Sequence, residues 1–595
     1  MGSFRDKTEL LVNCSDDIKL LLREGYDIRI AKETAEKFFG KKKISFIAID
    51  GTQSQDQQLD MLVFYAGAFG YTGQVEFVEK GCSCGEILEA NNVTNISAAI
   101  PIHEEDASNV VGKITEGGIE VEPERLPSML MQFAEYYMAV KSLYENPDLK
   151  LVLLDRKLAG EAGHLVWSVG ELLNENRSVL LGMGTEFGTV SSLDLELSRM
   201  LHPNEARSHF IKYAAINKLI SLLENGSLGY DELLSKIGGK PQRLEKLTND
   251  LTTFNELFSF LREDAYASNH VAIKPDNAGY WQRVFSAVMK VGRHIFDTPE
   301  SKHPLVYEES SNGDINKEKK WVTSADFEYM SLIMIYALVR LAWEKNVLVI
   351  GLIKDTAAAE LTKTIVPILQ NAHKIDIVGT EGGLPNFNSD KQLLQISSVI
   401  NGQSLKAPWR TFEFDSCFRT IVPVLDRNDN NSKNNEVTVK GAYKNVISAE
   451  RMFVKSYIQL WQSENDLTVR SHVFSYDRPC YPGLDMPGEL NYLDDSVNEE
   501  IRPMIHFDKD SEMSHLVMDI LCSMALEIIP EALGHNYPLF LADKKAKCVL
   551  GEMKSSYLST VAFEMANSEF DQQALYEEKF RDFRSRMENS RKVKT

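Results

Sequence analysis

Two short apolar runs, each ending on an aspartate, constrain the fold of this chain more than any other feature. The first is Ile44 to Ile49 (ISFIAI), followed by Asp50-Gly51-Thr52; the second is Lys150 to Leu154 (KLVLL), followed by Asp155. Runs of this length without polar alternation read as strands buried on both faces. A carboxylate just past such a strand stands at the rim of a sheet, within reach of a ligand. An Asp-Gly pair is also ordinary turn chemistry, so each aspartate alone has a bland reading. Between the runs, Leu62 to Tyr71 and Gln74 to Val78 read as two strands joined at Thr72-Gly73, and Arg125 to Asn146 as a helix. The order is strand, strand, strand, helix, strand.

On a helical wheel Leu130, Phe133, Tyr137 and Val140 fill one side of that helix, and Met131, Ala134 and Met138 much of the other. This is the pattern of a helix held between two layers. Glu135 neighbours Met131 and Met138 on its surface. A carboxylate in such surroundings is protonated, paired or bound to a cation; the alternative is a solvated groove and no special role.

With 595 residues the chain is long enough for roughly three or four domain-sized units. Residues 1–43 read as a helical segment and 156–345 as a mainly helical stretch. Inside the latter, 211–262 has the helix, helix, Gly turn, helix, strand order of a winged helix. Lys236, Lys240, Arg243 and Lys246 gather where such modules touch DNA; the other reading is a solvated basic face on a packing module. Tyr280 to Phe296 is a helix with Arg283, Lys290 and His294 on one face, either lining a nucleic-acid path or simply wet, and 300–322 is a loop. Sheet character returns at Val347 to Ile353, before Lys354. The basic tail, 576–595, reads as a helix.

Lys plus Arg is 65 and Asp plus Glu 86, a net charge of −21 that argues against a generally basic nucleic-acid coat but leaves room for a local basic channel. The 43% apolar content excludes a disordered chain. Seven Cys without a framework spacing fit a reducing cytoplasm, with the lone Cys82-x-Cys84 read as structural. The N-terminus has no apolar signal core, and the longest apolar run, Met330 to Trp343, is interrupted by Arg340 and too short to span a bilayer, so no membrane role is expected. Gly238-Gly239-Lys240 lacks the spacing of an ATP-binding P-loop, so ATP-driven movement would come from a partner.

Asp50, Glu135 and Asp155 form a carboxylate set on adjacent elements. Oxygen-only clusters favour Mg²⁺ or Mn²⁺, and two such ions about 4 Å apart serve phosphodiester cleavage. The element order is that of an RNase H-like core. The chain resembles the NurA-domain nucleases through IAIDGT at 47–52, VLLDRKL at 152–158, VIGLIKD at 349–355 and NYPLFLADKKA at 536–546. The resemblance covers 44–155 and about 345–570. It implies an α/β fold, an RNase H-like mixed sheet with 156–345 inserted between core halves at 44–155 and 346–575. It also implies Mn²⁺- or Mg²⁺-dependent DNA cleavage, a homodimer, and work with a HerA-type hexameric ATPase in end processing for repair or antiphage defence.

Carried over, Asp50 and Asp155 match the motif aspartates and Glu135 the helix glutamate, as metal ligands. Lys354 matches the motif lysine at a strand end, where an ammonium could contact the scissile phosphate, and Tyr537 the aromatic before the last helix, which could orient a phosphate or water. Two positions depart from the pattern. Arg156-Lys157 replaces Gly-Ser and either adds phosphate contacts or crowds the site. Asp543 stands where the family has His and could bind metal through oxygen. A scaffold subunit that caps an ATPase ring, and an RNA-directed nuclease, are the competing readings.

Overall fold

The computed structural model describes residues 12, 15–58, 61–78, 81–83, 93–103, 106, 125–168, 178–200, 222, 227–237, 270–271, 279–297, 303–309, 318–354 and 356–375. It further describes 387–402, 404–415, 421–425, 437–441, 452–467, 469–481, 483–485, 492–494, 499–501, 504–525 and 534–567. Most of the winged-helix segment and the whole basic tail lie outside these residues.

The elements that build the core are β1 (Leu22–Glu24), α1 (Ile28–Phe39), β2 (Lys43–Gln58), β3 (Met61–Val78), β4 (Gly81–Ser83), β5 (Val93–His103), α2 (Leu126–Glu145), β6 (Leu149–Leu154) and α3 (Ala159–Ser168). They continue with α4 (Tyr280–Phe296), α5 (Ser324–Lys345), β7 (Leu348–Ile353), β8 (Trp409–Thr411), β9 (Phe414–Asp415), β10 (Phe453–Gln459), β11 (Phe474–Pro479), α6 (Glu512–Ser523) and α7 (Tyr537–Asn567). Eleven strands form one mixed sheet in the order β1-β8-β10-β11-β7-β6-β2-β3-β4, with β9 beside β10 and β5 beside β3. At its centre β2, β6 and β7 run parallel. On either side, β3 pairs antiparallel with β2 and β11 antiparallel with β7. The fold is α/β with a mixed central sheet, as expected.

Several local expectations are corrected. No turn forms at Asp50-Gly51-Thr52, because β2 continues in unbroken register with β3 from Lys43↔Glu76 to Gln58↔Met61. The two strands expected at 62–71 and 74–78 are one strand, β3. Gly73 is not a turn residue there: it faces its cross-strand partner Phe46, whose ring would lie 2.6 Å from a Cβ at that position. A bare backbone gives the ring a surface to lie on. In the N-terminal segment the helical stretches Ser15–Leu20 and α1 are separated by β1 and by Gly25, whose φ of +65° interrupts a helix. Asp27 then caps α1, accepting the Arg29 and Ile30 N–H groups at 2.8 and 3.2 Å. The expected loop at 300–322 contains an antiparallel pair, Val306–Glu309 with Glu318–Trp321.

Helix α2 is buried on both sides, as its wheel predicts. One side packs on β2 and β3 and the other on α5 and α4, all within one apolar core. Side chains alternate along a strand. A Cβ at Gly51 would overlap Glu135 Oε1 and the Met131 side chain of α2, so odd-numbered residues of this part of β2 face α2. Even-numbered ones face α7: Asp56 pairs with Lys554 at 3.1 Å, and Tyr65, the partner of Ser54, meets Tyr557 edge-on at 5.7 Å. The central ribbon is therefore covered by α2 on one face and α7 on the other. Among the described residues no helix is long and apolar enough to cross a membrane.

This packing gives a direct test at Gly51. Gly51→Ala forces a methyl group against Glu135 and Met131 and is expected to cost about 1–3 kcal/mol in urea unfolding. Gly551→Ala, on α7 with nothing within 4 Å, should instead be neutral or stabilise by up to about 1 kcal/mol.

Candidate active site

The parallel register of β2 and β6 sets the site. Ile49 pairs with Leu154, and the Asp155 N–H donates to the Ile49 carbonyl at 3.3 Å. Asp50 and Asp155 thus follow directly from neighbouring parallel strands. On the other side of β6, Leu154 pairs with Gly351 of β7, and Lys354 follows that strand's end. Its Nζ lies 3.2 Å from Asp155 Oδ2. From the α7 side comes Asp543, salt-bridged to Lys547 one turn on at 2.7 Å.

Asp50 is 9% exposed and has no salt bridge to a described residue. Burial pushes its pKa up to about 7, reinforced by the carboxylates of Asp155 and Asp543 and opposed by the Lys354 ammonium and the Gly51 N–H. Asp50, Asp155, Lys354 and Asp543 therefore share one electrostatic field on the α7 face of the sheet.

Sequence reasoning missed His535, which stands in the loop before α7. Its Nδ1 is 2.9 Å from the Asn536 carbonyl, and its Nε2 is buried with no hydrogen-bond partner among the described residues. Burial, then the Lys354 ammonium, push the imidazole pKa down, against the pull of Asp155 and Asp543. A neutral ring whose Nδ1 donates to a carbonyl presents its Nε2 lone pair outward. The available signal was a histidine two residues before Tyr537, directly ahead of the NYPLFLADKKA run at 536–546.

Glu135 sits differently. It is 3% exposed and reaches β2 from α2, over Gly51, on the face opposite Asp50. Its Oε2 is paired with Arg156 Nε. Arg156 Nη1 also meets Glu161 Oε1 at 3.2 Å, while Glu161 Oε2 accepts from Gln132 at 2.7 Å and Tyr136 at 2.5 Å. Lys157 is half-buried near Lys455, Asp477, Glu360 and Glu161; burial and Lys455 hold its pKa down. Tyr537 is buried at the start of α7 in the core, its ring stacked on Phe540. Lys240, Arg243 and Lys246 lie outside the described residues.

The cations of α4 each contact a described residue. Arg283 is buried and bidentate to Asp194 at 2.9 and 2.7 Å. Lys290 donates to the Gly184 carbonyl, and His294 contacts that of Val306. Among the described residues, one trio of metal-capable groups has ligand atoms all within 4.8 Å of one another: Glu413, Asp485 and His506. Arg478 occupies it, with Nη2 2.5 Å from Glu413 and Nη1 2.8 Å from Asp485, all three fully buried. That cluster is a structural ion network.

No family model and no curated protein matches the chain. Among solved structures, it aligns over 94% of its length with 94% of the NurA nuclease from Sulfolobus solfataricus, at 10% identity and TM-score 0.34. It aligns over 92% with 96% of NurA bound to dAMP and manganese, at 11% identity and TM-score 0.31. A NurA structure with manganese aligns over 94% of this chain and 98% of its own, at 11% identity and TM-score 0.28.

The Asp50 environment makes a signed prediction. A carboxylate raised from 3.8 to about 7 favours the folded state while protonated, and that contribution is lost as pH rises from about 4 through 7. In metal-free protein, Asp50→Asn should raise the melting temperature at pH 8 and leave it unchanged at pH 4. The corresponding free energy is at most about 4 kcal/mol. Equal melting temperatures at pH 8 would contradict the buried, crowded Asp50.

Proposed function

We propose that this chain is a divalent-metal-dependent deoxyribonuclease of the NurA type, built on an RNase H-like sheet. The observation that carries the reading is the meeting of Asp50, Asp155 and Asp543, from three elements, in one field beside the orphaned Nε2 of His535. Carboxylates that raise one another's pKa around a buried Asp50 favour positive charge at this place. The donor types, three carboxylates and an imidazole, are those that Mn²⁺ or Mg²⁺ takes, with nitrogen favouring Mn²⁺; among the described residues no three of their ligand atoms lie within 4.8 Å of one another. When bound, such an ion supplies Lewis-acid stabilisation of the phosphate undergoing cleavage.

The chain's own residues do the rest. Lys354, on Asp155 at 3.2 Å, would be free to meet a phosphate oxygen if Asp155 held the cation. Asp543 would likewise give up the exposed Lys547 if it held the cation. Burial around Asp50 excludes bulk water and strengthens each charge interaction. In this reading Tyr537 orients the phosphate from the first turn of α7, and Arg156-Lys157 borders the path. Lys240, Arg243 and Lys246 contact the DNA backbone. The chain works as a homodimer in the cytoplasm and receives DNA from a HerA-type ATPase.

Cleavage of end-labelled DNA with Mn²⁺ tests this, with RNA beside it and with and without a HerA-type ATPase. Asp50→Ala and Asp155→Ala should each lower the rate on the order of 100-fold or more. His535→Ala should weaken Mn²⁺ binding by about 10- to 100-fold. Cleavage that survives Asp50→Ala removes the site assignment; no cleavage under any condition returns the chain to a scaffold. Replacing Lys240, Arg243 and Lys246 by Ala should flatten the salt dependence of DNA binding.

A further inference from the structure

We infer that the site takes a single divalent cation per chain, because Arg156 already occupies the position at Glu135 that a second cation would need. The inference rests on the metal-site reading above and refines it.

Three observations converge. The first is strand parity. Gly51 faces Glu135 on the α2 side of β2, so Asp50, its neighbour, faces the α7 side. The cation donors named above, Asp50, Asp543 and His535, belong to the α7 side, and Glu135 does not. The second is the ion pair itself. Arg156, 15% exposed, holds Glu135 through Nε, with the Glu135 carboxylate almost fully buried. A cation binding Glu135 would have to displace the Arg156 guanidinium and leave it with Glu161 as its remaining carboxylate partner. The third is what holds Arg156. Its Nη1 is anchored by Glu161, and Glu161 is fixed by Gln132 and Tyr136 of the same helix that carries Glu135. The guanidinium is a permanent positive charge with two acidic partners, built into α2 and the start of α3.

The arrangement also fits the balance of charge. On the α7 side three carboxylates face Lys354 and Lys547, both of which are ammonium groups on flexible stems that can swing away. On the α2 side Glu135 and Glu161 face one guanidinium whose planar fork matches carboxylates and which is always charged. The first side can release its cations to a metal; the second cannot do so cheaply. Arg156 is thus a positioning residue. It fixes Glu135 against the backbone at Gly51 and keeps that carboxylate from a cation held at the strand ends.

Metal stoichiometry tests this without any activity readout. Metal-free full-length protein is titrated with Mn²⁺ and the free ion is followed by its electron paramagnetic resonance signal; bound metal is counted after equilibrium dialysis. Wild type should bind one Mn²⁺ per chain. Arg156→Ala, with Glu135 released, should bind two, and Arg156→Lys, which keeps a charge, should stay at one. Glu135→Gln preserves the shape and a hydrogen bond to Arg156 and should bind one Mn²⁺ within about threefold of the wild-type affinity. This last variant stands even if Arg156→Ala fails to fold. Two Mn²⁺ in wild type, one in a folded Arg156→Ala, or a Glu135→Gln protein that loses its Mn²⁺ overturns the single-cation inference while the metal site survives. No Mn²⁺ bound by wild type overturns the metal site, and the inference with it.

Discussion

The parallel pairing of β2 with β6 is the constraint on which the rest of the structure depends. It sets Ile49 against Leu154, so that two chain segments about a hundred residues apart end their apolar runs side by side. Everything at the site follows from that register. A slip by one residue would turn Asp50 to the α2 face and carry Gly51 to the α7 face. The Asp155 N–H would lose the Ile49 carbonyl. The register is held by side chains on both faces: Phe46, Ile47, Ala48, Ile49 and Leu151 to Leu154 are all buried, so no shift keeps the apolar set covered.

The two covering layers then divide the charges. Helix α2 is apolar on both sides and presents Glu135 to a close glycine, with Arg156 and Glu161 completing a buried network. Helix α7 brings Asp543 over the other face, next to His535. Low exposure magnifies both arrangements, because a charge away from water interacts more strongly with its neighbours. The overall charge of −21 is in part a local matter. The acids at the strand ends are crowded, whereas those of the α2 layer and of the Arg478 network are matched by guanidinium groups.

The sequence made the sheet legible where side chains report burial directly. Uninterrupted apolar runs marked β2, β6 and β7, and the two-sided wheel marked α2 as an inner helix. It misled at glycines. Gly51 and Gly73 read as turns, but both lie inside long strands, where a missing Cβ admits Glu135 in one case and the Phe46 ring in the other. A glycine's φ freedom and its lack of bulk are indistinguishable in a sequence. Arg283 of α4 misled for a related reason. A helical wheel places Arg283 on a face but does not show that Asp194 is waiting there.

By itself the amino-acid sequence determined the apolar strands, the aspartates that follow two of them, and the sandwiched helix between. These are local properties, since hydrophobic periodicity and strand ends are written in neighbouring residues. Only the tertiary structure decided which acids share a field. Asp50 and Asp155 meet through strand register, Asp543 and His535 through the path of α7, and Glu135 is turned to the opposite face and to Arg156. The reason is physical: electrostatic coupling depends on distance and burial, and residues far apart in the chain acquire both only when the sheet closes around them.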